Sequence, residues 1–176
     1  MNGRPSVHEY FLAMAVLVST RGACVRRRTG CVLVDRHNFV LATGYNGRSS
    51  GVINCLQSPC EGSNSASGTN LEGCEAIHAE ANAIIQCKDT QSIATAYCTH
   101  SPCIHCVKLL MNTSCNNIVF LEPYAHDQES QRLWKSRERK RISSYSYETE
   151  RPYGWYHAKI YNNLLAKVVD TIRLVQ

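Results

Sequence analysis

Two short patterns in this 176-residue chain hold residue types able to do chemistry. One is His78-Ala79-Glu80, near the start of a helix read as beginning at Glu75. The other is Pro102-Cys103-Ile104-His105-Cys106, at a strand-to-helix turn. Two cysteines three apart in the first turn of a helix lie on one side, so both sulfurs can face a single metal ion. With His78 as a third ligand, a tetrahedral Zn²⁺ keeps one position for water, whereas a fourth protein ligand would make the site structural. Zn²⁺ so held lowers the pKa of that water to roughly 7. Glu80, two residues past the histidine, would then sit beside the water as a proton shuttle without ligating the metal. The alternative is a closed structural site, with Glu80 merely a carboxylate favoured by the helix dipole. The histidine and glutamate on a separate upstream helix weigh against it. His105, between the two cysteines, would point away from a metal held by its neighbours. His100 could reach the mouth of the site or lie in solvent.

The elements that must position these residues read as an alternation. Tyr10, Phe11, Met14, Leu17 and Val18 recur at helical spacing within His8–Thr20. The apolar runs Gly30–Val34 and Phe39–Thr43, split by Asp35-Arg36-His37-Asn38, predict a β-hairpin. A helix over Glu75–Cys87, a strand over Ala94–Thr99, a helix over Cys103–Met111 and a strand over Ile118–Leu121 follow. This alternation signals an α/β sandwich with partly parallel strands. Gln128–Arg141 reads as a charged amphipathic helix, Ile142–Tyr147 as an edge strand and His157–Leu174 as a last helix. Between Arg48 and Asn70 lies a long loop of Ser, Gly and Asn with little that could pack; such loops are functional or held by something.

Composition narrows the class. Hydrophobic residues at 44% and charged residues at 19% suit one domain over residues 1–176 with a real core. No apolar run reaches the ~18–20 residues of a membrane span, and Met1–Tyr10 does not read as a signal peptide, so a cytoplasmic location is expected. A net charge of +5 leaves room for an anionic small molecule or for nucleic acid and chooses neither. Ten cysteines without an export signal favour metal binding over disulfides.

With these residues in hand, the chain resembles the deoxycytidylate (dCMP) deaminases of the cytidine deaminase superfamily, zinc nucleobase deaminases that share the histidine-x-glutamate and PCxxC signature. Further matches are Arg4-Pro5-Ser6 through Glu9-Tyr10-Phe11, Arg26-Arg27-Arg28-Thr29-Gly30-Cys31-Val32-Leu33-Val34, Ala42-Thr43-Gly44-Tyr45-Asn46-Gly47, Ile77 to Ile84, and Tyr97 to Cys103. The resemblance covers a family core over residues 4–129 and leaves 130–176 as a divergent basic and aromatic C-terminal extension. It implies a three-layer α/β/α sandwich with a five-stranded mixed sheet, and zinc-dependent hydrolysis of dCMP to dUMP and ammonia, supplying dUMP for thymidylate synthesis. It also implies a homo-oligomer, commonly a hexamer, with dCTP and dTTP as effectors acting with Mg²⁺. Asn46 would hydrogen-bond the deoxyribose, though Asn-Gly is also the commonest type I′ hairpin pair. The backbone at Ala79 would contact the base, and Ser101 and Tyr124 would line the pocket. Arg26, Arg27 and Arg28 are candidates for phosphate or effector contacts, but three adjacent arginines cannot all face one ligand.

Four more cysteines, Cys24, Cys55, Cys60 and Cys74, stand where similar enzymes carry cysteines. Together they would form a second, closed Cys₄ zinc site that orders the polar loop; the alternative is free, partly buried thiols. Cys31, Cys87, Cys98 and Cys115 fall on apolar faces and read as core. A rival function is deamination of tRNA or single-stranded DNA, with Arg137-Glu138-Arg139-Lys140-Arg141 tracking the backbone and Tyr145, Tyr147, Tyr153, Trp155 and Tyr156 stacking bases. The glycine-flanked turn and cysteine-rich loop favour a mononucleotide, so nucleic acid is not the expected partner. A non-catalytic zinc interaction module is the remaining rival, disfavoured by the intact Glu80.

Overall fold

Strand β1 (Gly30–Val34) is buried at every position, so its two faces must both be covered. Alternation sends Cys31 and Leu33 to one face and Val32 and Val34 to the other. The computed structural model that shows this describes residues 3–66, 68–70, 72–125, 127–137 and 153–174. The remaining strands are β2 (Val40–Tyr45), β3 (Thr95–His100), β4 (Asn117–Glu122) and β5 (Gly154–His157). They form one sheet in the order β2-β1-β3-β4-β5. Strand β1 runs antiparallel to both β2 and β3, while β3, β4 and β5 are mutually parallel.

Helices cover both faces and complete a three-layer sandwich. Helix α1 (Val7–Ser19) lays Phe11, Leu12 and Ala15 on Val32, Val34, Tyr97 and Val119. Its start is locked by a capping box, in which Ser6 and Glu9 bond reciprocally. Helices α2 (Ala79–Gln86) and α3 (Ile104–Met111) pack Ala79, Ala83, Val107 and Leu110 on the opposite face, against Cys31, Leu33, Cys98, Ile118 and Phe120. Helix α4 (Asp127–Lys135) adds the fully buried Trp134, whose indole N–H donates to the Gly154 carbonyl at 2.9 Å. Truncating such a tryptophan costs about 3–5 kcal/mol, so α4 and β5 stand or fall together. Helix α5 (Asn163–Leu174) returns across α1, where Val169 joins Ala13 and Val16.

Three expectations need correction. Helix α2 begins at Ala79 rather than Glu75, because Ile77 is held extended by a bridge to Gly47. The last helix begins at Asn163 rather than His157, because residues 154–157 are taken by the sheet as β5. The fifth strand among the described residues is therefore this segment, and Ile142–Tyr147 lies outside them. The charged helix expected over Gln128–Arg141 ends at Lys135, with Ser136 and Arg137 already out of it. Cys31, Cys87, Cys98 and Cys115 are all buried in the core. Among the described residues no helix is long and apolar enough to cross a membrane.

Gly44 sets the distance between β2 and α2. A Cβ there would lie 2.2 Å from the Ala79 carbonyl oxygen and 2.3 Å from the Ala83 nitrogen, both backbone. Gly44→Ala should therefore destabilise the fold by about 2–3 kcal/mol, as overpacking does. Gly47→Ala, whose nearest neighbour would be 3.8 Å away, should stay within about 1 kcal/mol of the parent. Urea denaturation of both variants checks the contrast.

Candidate active site

Two helix N-termini meet at the carboxyl end of β3. His78 occupies the N-cap position of α2 and Cys103 that of α3, and neither side chain caps its own helix. Both are turned towards each other instead. The Cys103 sulfur lies 3.3 Å from His78 Nδ1, and the Cys106 sulfur lies 3.5 Å from the same nitrogen. Among the described residues, only these three bring metal-ligating atoms within 4.8 Å of one another as a group. Zn–S and Zn–N bonds at a tetrahedral angle place sulfur and nitrogen about 3.6 Å apart, so the donor set fits Zn²⁺ in spacing as well as chemistry. Glu80, buried on the first turn of α2, brings Oε2 to 3.5 Å from the Cys106 sulfur.

The electrostatics follow from this crowding. The Cys103 thiol is lowered to about 3, first by its hydrogen bond with Cys106 and then by that with His78. Cys106 is pushed well above its ordinary value by the same bond with Cys103 and by burial. His78 is raised to about 9, chiefly by the Cys103 contact. The trio without metal thus carries a thiolate, an imidazolium and a thiol, and a divalent ion would displace the remaining protons. Burial raises the Glu80 carboxyl, with the His78 charge opposing it. A carboxyl poised upward can hold a proton as well as release one.

A cavity of ≈ 250 Å³ opens beside the cluster, lined by His78, Ala79, Glu80 and Cys103 and by the predicted Asn46, Ser101 and Tyr124. Arg26 and Arg27 also line it. Arg26 spends its guanidinium on the Ala66 and Thr69 carbonyls, fastening the polar loop. Arg27 lies 5.9 Å from the centroid of the Tyr124 ring. Arg28 is not among the lining residues, so the arginine run contributes two side chains and not three. Asn46 is not a left-handed turn residue: among the described non-glycine residues only Asn38 and Asn70 have positive φ. Its amide accepts from Thr29 N–H and donates to the Arg27 carbonyl, each at 2.8 Å, which ties the strand-leading segment to the turn. Ser63, Asn64 and Ser65, in and just after a 3₁₀ turn over Glu61–Asn64, line the cavity too. Sequence reasoning missed them; their one signal was a polar loop too long to be mere connection. His105 is exposed and is not among the cavity-lining residues, while His100 is.

A family model described as "Cytidine and deoxycytidylate deaminase zinc-binding region" matches residues 5–122. The chain belongs to this deaminase family. It is 36% identical over 135 residues to a protein named deoxycytidylate deaminase from Saccharomyces cerevisiae, covering 76% of this chain and 43% of that one. It is likewise 36% identical over 124 residues to one from Mycobacterium phage D29, covering 66% of this chain and 95% of that one. A solved dCMP deaminase from the cyanophage S-TIM5, in complex with dCMP and dUMP, superposes with a TM-score of 0.59 at 28% identity, covering 74% of this chain and 94% of that chain. The chain spans less than half the length of the yeast relatives it matches.

Two further features of this deaminase-family chain bear on function. The polar loop is organised around sulfur: Cys55 and Cys60 lie 3.6 Å apart, and Cys60 N–H points at the Cys55 sulfur at 3.4 Å. Backbone hydrogen bonds from Glu75 and Gly62, with the Cys55 contact, lower the Cys60 thiol. Cys74 is raised by burial, and Cys24 and Cys60 are near enough to push it further. No three of these four sulfurs come within 4.8 Å of one another as a group. The aromatic residues offered for base stacking are partly spent elsewhere. Trp155 is buried against Phe120, and Tyr153 packs on Trp134 and Arg137. Tyr145, Tyr147 and Arg139–Arg141 lie outside the described residues.

The thiolate gives a direct check on the cluster. In chelator-treated protein at pH 5, iodoacetamide should label Cys103 ahead of every other cysteine, because only thiolates react; added Zn²⁺ should protect it. Peptide mass spectrometry showing Cys74 labelled as fast would contradict the assignment.

Proposed function

We propose that this chain hydrolyses dCMP to dUMP and ammonia, with His78, Cys103 and Cys106 holding Zn²⁺ and Glu80 moving the protons. The observation that carries the reading is the convergence of one imidazole and two sulfurs at two helix N-termini, with a buried carboxylate beside them. The substrate follows from the relatives named deoxycytidylate deaminase and from the phage structure holding dCMP and dUMP. Zn²⁺ in this set supplies a water activated near neutral pH. Glu80 takes a proton from the attacking water and delivers it to ring N3 as the C4–O bond forms. It then hands a proton to the exocyclic nitrogen as the C4–N bond breaks, so water and dCMP balance to dUMP and NH₃. Its upward-shifted carboxyl suits both halves of that cycle. The Ala79 backbone, Ser101 and Tyr124 line the base and sugar region, and Asn46 holds the wall that Arg27 and Thr29 belong to.

The reading extends to a single catalytic domain, 1–176, with its core at 4–129. Within the C-terminal segment 130–176, the described residues 153–174 are integral to it, since β5 pairs with β4 and α5 packs on α1. It also carries a homo-oligomer, hexameric by resemblance, control by dCTP and dTTP with Mg²⁺, a cytoplasmic location, and dUMP production for thymidylate synthesis; these rest on family membership. A second Zn²⁺, held by Cys24, Cys55, Cys60 and Cys74, belongs to the same proposal. Its support is the lowered Cys60 thiol, held by backbone hydrogen bonds, with the Cys55 sulfur 3.6 Å away.

Glu80→Gln should retain zinc and fold yet lose kcat by about 10³-fold, whereas Cys103→Ser and His78→Ala should lose zinc and activity together. Ammonia release from dCMP, deoxycytidine, CMP and an oligonucleotide, measured side by side, tests the substrate; wild-type turnover in Glu80→Gln would end the mechanism. For the second site, elemental analysis should find two zinc ions per chain. Cys60→Ser should lower Tm and raise KM more than it lowers kcat. One zinc in active, folded protein, or a disulfide between any two of the four, would remove the Cys₄ site.

A further inference from the structure

The cavity wall contains a run of hydrogen bonds that the proposed chemistry does not use. Gly30 N–H donates to Thr99 Oγ1 at 3.2 Å, and that hydroxyl lies 3.2 Å from His100 Nδ1. On the other side of the ring, Nε2 lies 3.4 Å from Glu122 Oε2, and the second oxygen of Glu122 is 2.9 Å from the Arg173 guanidinium. A carboxylate only accepts, so the imidazole proton sits on Nε2, and Nδ1 accepts from the Thr99 hydroxyl. Every donor in the run then has an acceptor. Gly30, Thr99 and His100 all line the cavity, while Arg173 stands in the last turn of α5, beyond the residues 5–122 that match the family.

We propose that α5, through Arg173 and Glu122, holds His100 as a positioning residue that shapes the wall of the substrate pocket. This rests on the reading of that cavity as the nucleotide site. With both ring nitrogens engaged, His100 presents a neutral carbon edge to the cavity, and Arg27 is the cation beside it. The charged groups around the ring are Arg27 from the segment before β1, Glu122 from β4 and Arg173 from α5. Burial first, and then the Arg27 charge, lower His100 to about 4, so the ring stays neutral across the physiological range. Without the Arg173 clamp, Glu122 is a half-exposed carboxylate free to turn to solvent. The ring then loses the acceptor that fixes its tautomer and can swing a polar nitrogen into the pocket, weakening substrate binding without touching Glu80 or the ligand set.

The test uses zinc-loaded full-length protein with Arg173→Ala and Glu122→Gln. Arg132→Ala, which breaks an exposed ion pair with Glu129, is the control. Exposed pairs contribute little to stability, so all three should fold with Tm near the parent. Arg173→Ala and Glu122→Gln should raise KM for dCMP about threefold or more with kcat within about twofold, and the control should change neither. The His100 imidazole resonance, followed by NMR against pH, should titrate lower in Glu122→Gln and lower in Arg173→Ala as well, because Glu122, which raises His100 more than Arg173 lowers it, turns away when the clamp is gone; a rise in Arg173→Ala, with Glu122 still in place, would overturn the proposal. KM unchanged in both variants, or KM and kcat falling only in step with Tm, would overturn the proposal. If the parent turns over no dCMP, the nucleotide reading fails by itself, and the NMR arm alone decides the clamp. A His100 titration identical in parent and both variants overturns it.

Discussion

Helices α2 and α3 both start without a side chain capping their first turn, and the site exists because of that. An N-cap hydrogen bond typically contributes about 1 kcal/mol. Here the two residues in the capping positions, His78 and Cys103, face each other across the gap between the helices. Their backbone N–H dipoles point at the same small volume, which favours negative charge there. The Cys103 thiol itself is lowered first by its hydrogen bond with Cys106 and then by that with His78. The rest of the molecule can be read as what keeps two uncapped helix ends in register.

Register comes from the sheet. Strand β1 fixes β3 antiparallel on one side through Cys31↔Cys98 and its neighbours, and β3 leads directly into α3. Strand β2 fixes α2 through Gly44, where backbone meets backbone. The distance between His78 and Cys103 is therefore set by hydrogen-bonded strands and by a glycine that admits no Cβ, rather than by flexible loops. The cysteines and alanines lining this face are small because two helices must approach the sheet closely.

The metal cluster, the strands β1, β3 and β4 and the helices before and after the site were legible in the sequence because each has a short-range signature. The β1 run is apolar at every position, and the cysteine pair sits at a helical i, i+3 spacing. What failed to show was long-range. Residues 154–157 carry Trp-Tyr-His, which suits a helix edge or a strand equally; only the vacant side of β4 decides for a strand. Helix α2 starts four residues late because Gly47, thirty positions upstream, pairs with Ile77. Ser63 to Ser65 have no motif, and their place in the cavity wall depends on Arg26 holding Ala66 and Thr69. The run of arginines was legible as charge, yet its division of labour was not.

The C-terminal extension shows how a family core acquires dependence on residues outside it. Beyond Glu122 the chain adds the last parallel strand, buries Trp134 and Trp155, and lays α5 on α1. Glu9 holds this return by hydrogen bonds: its carboxylate accepts from Tyr161 N–H and Asn162 N–H at 2.7 Å while serving the capping box of α1. Those bonds, led by the ones from Ser6, lower its pKa to about 2. The tether is therefore fully charged above the ordinary carboxylate range and is lost as pH falls from about 4.5 towards 2. With α5 tied at its start by Glu9 and at its end by Arg173 to Glu122, the helix is held at both ends against elements of the family core. A segment with no recognisable motif is thus held by two carboxylates of the motif-bearing region, and one of them, Glu122, lies beside His100 in the cavity wall.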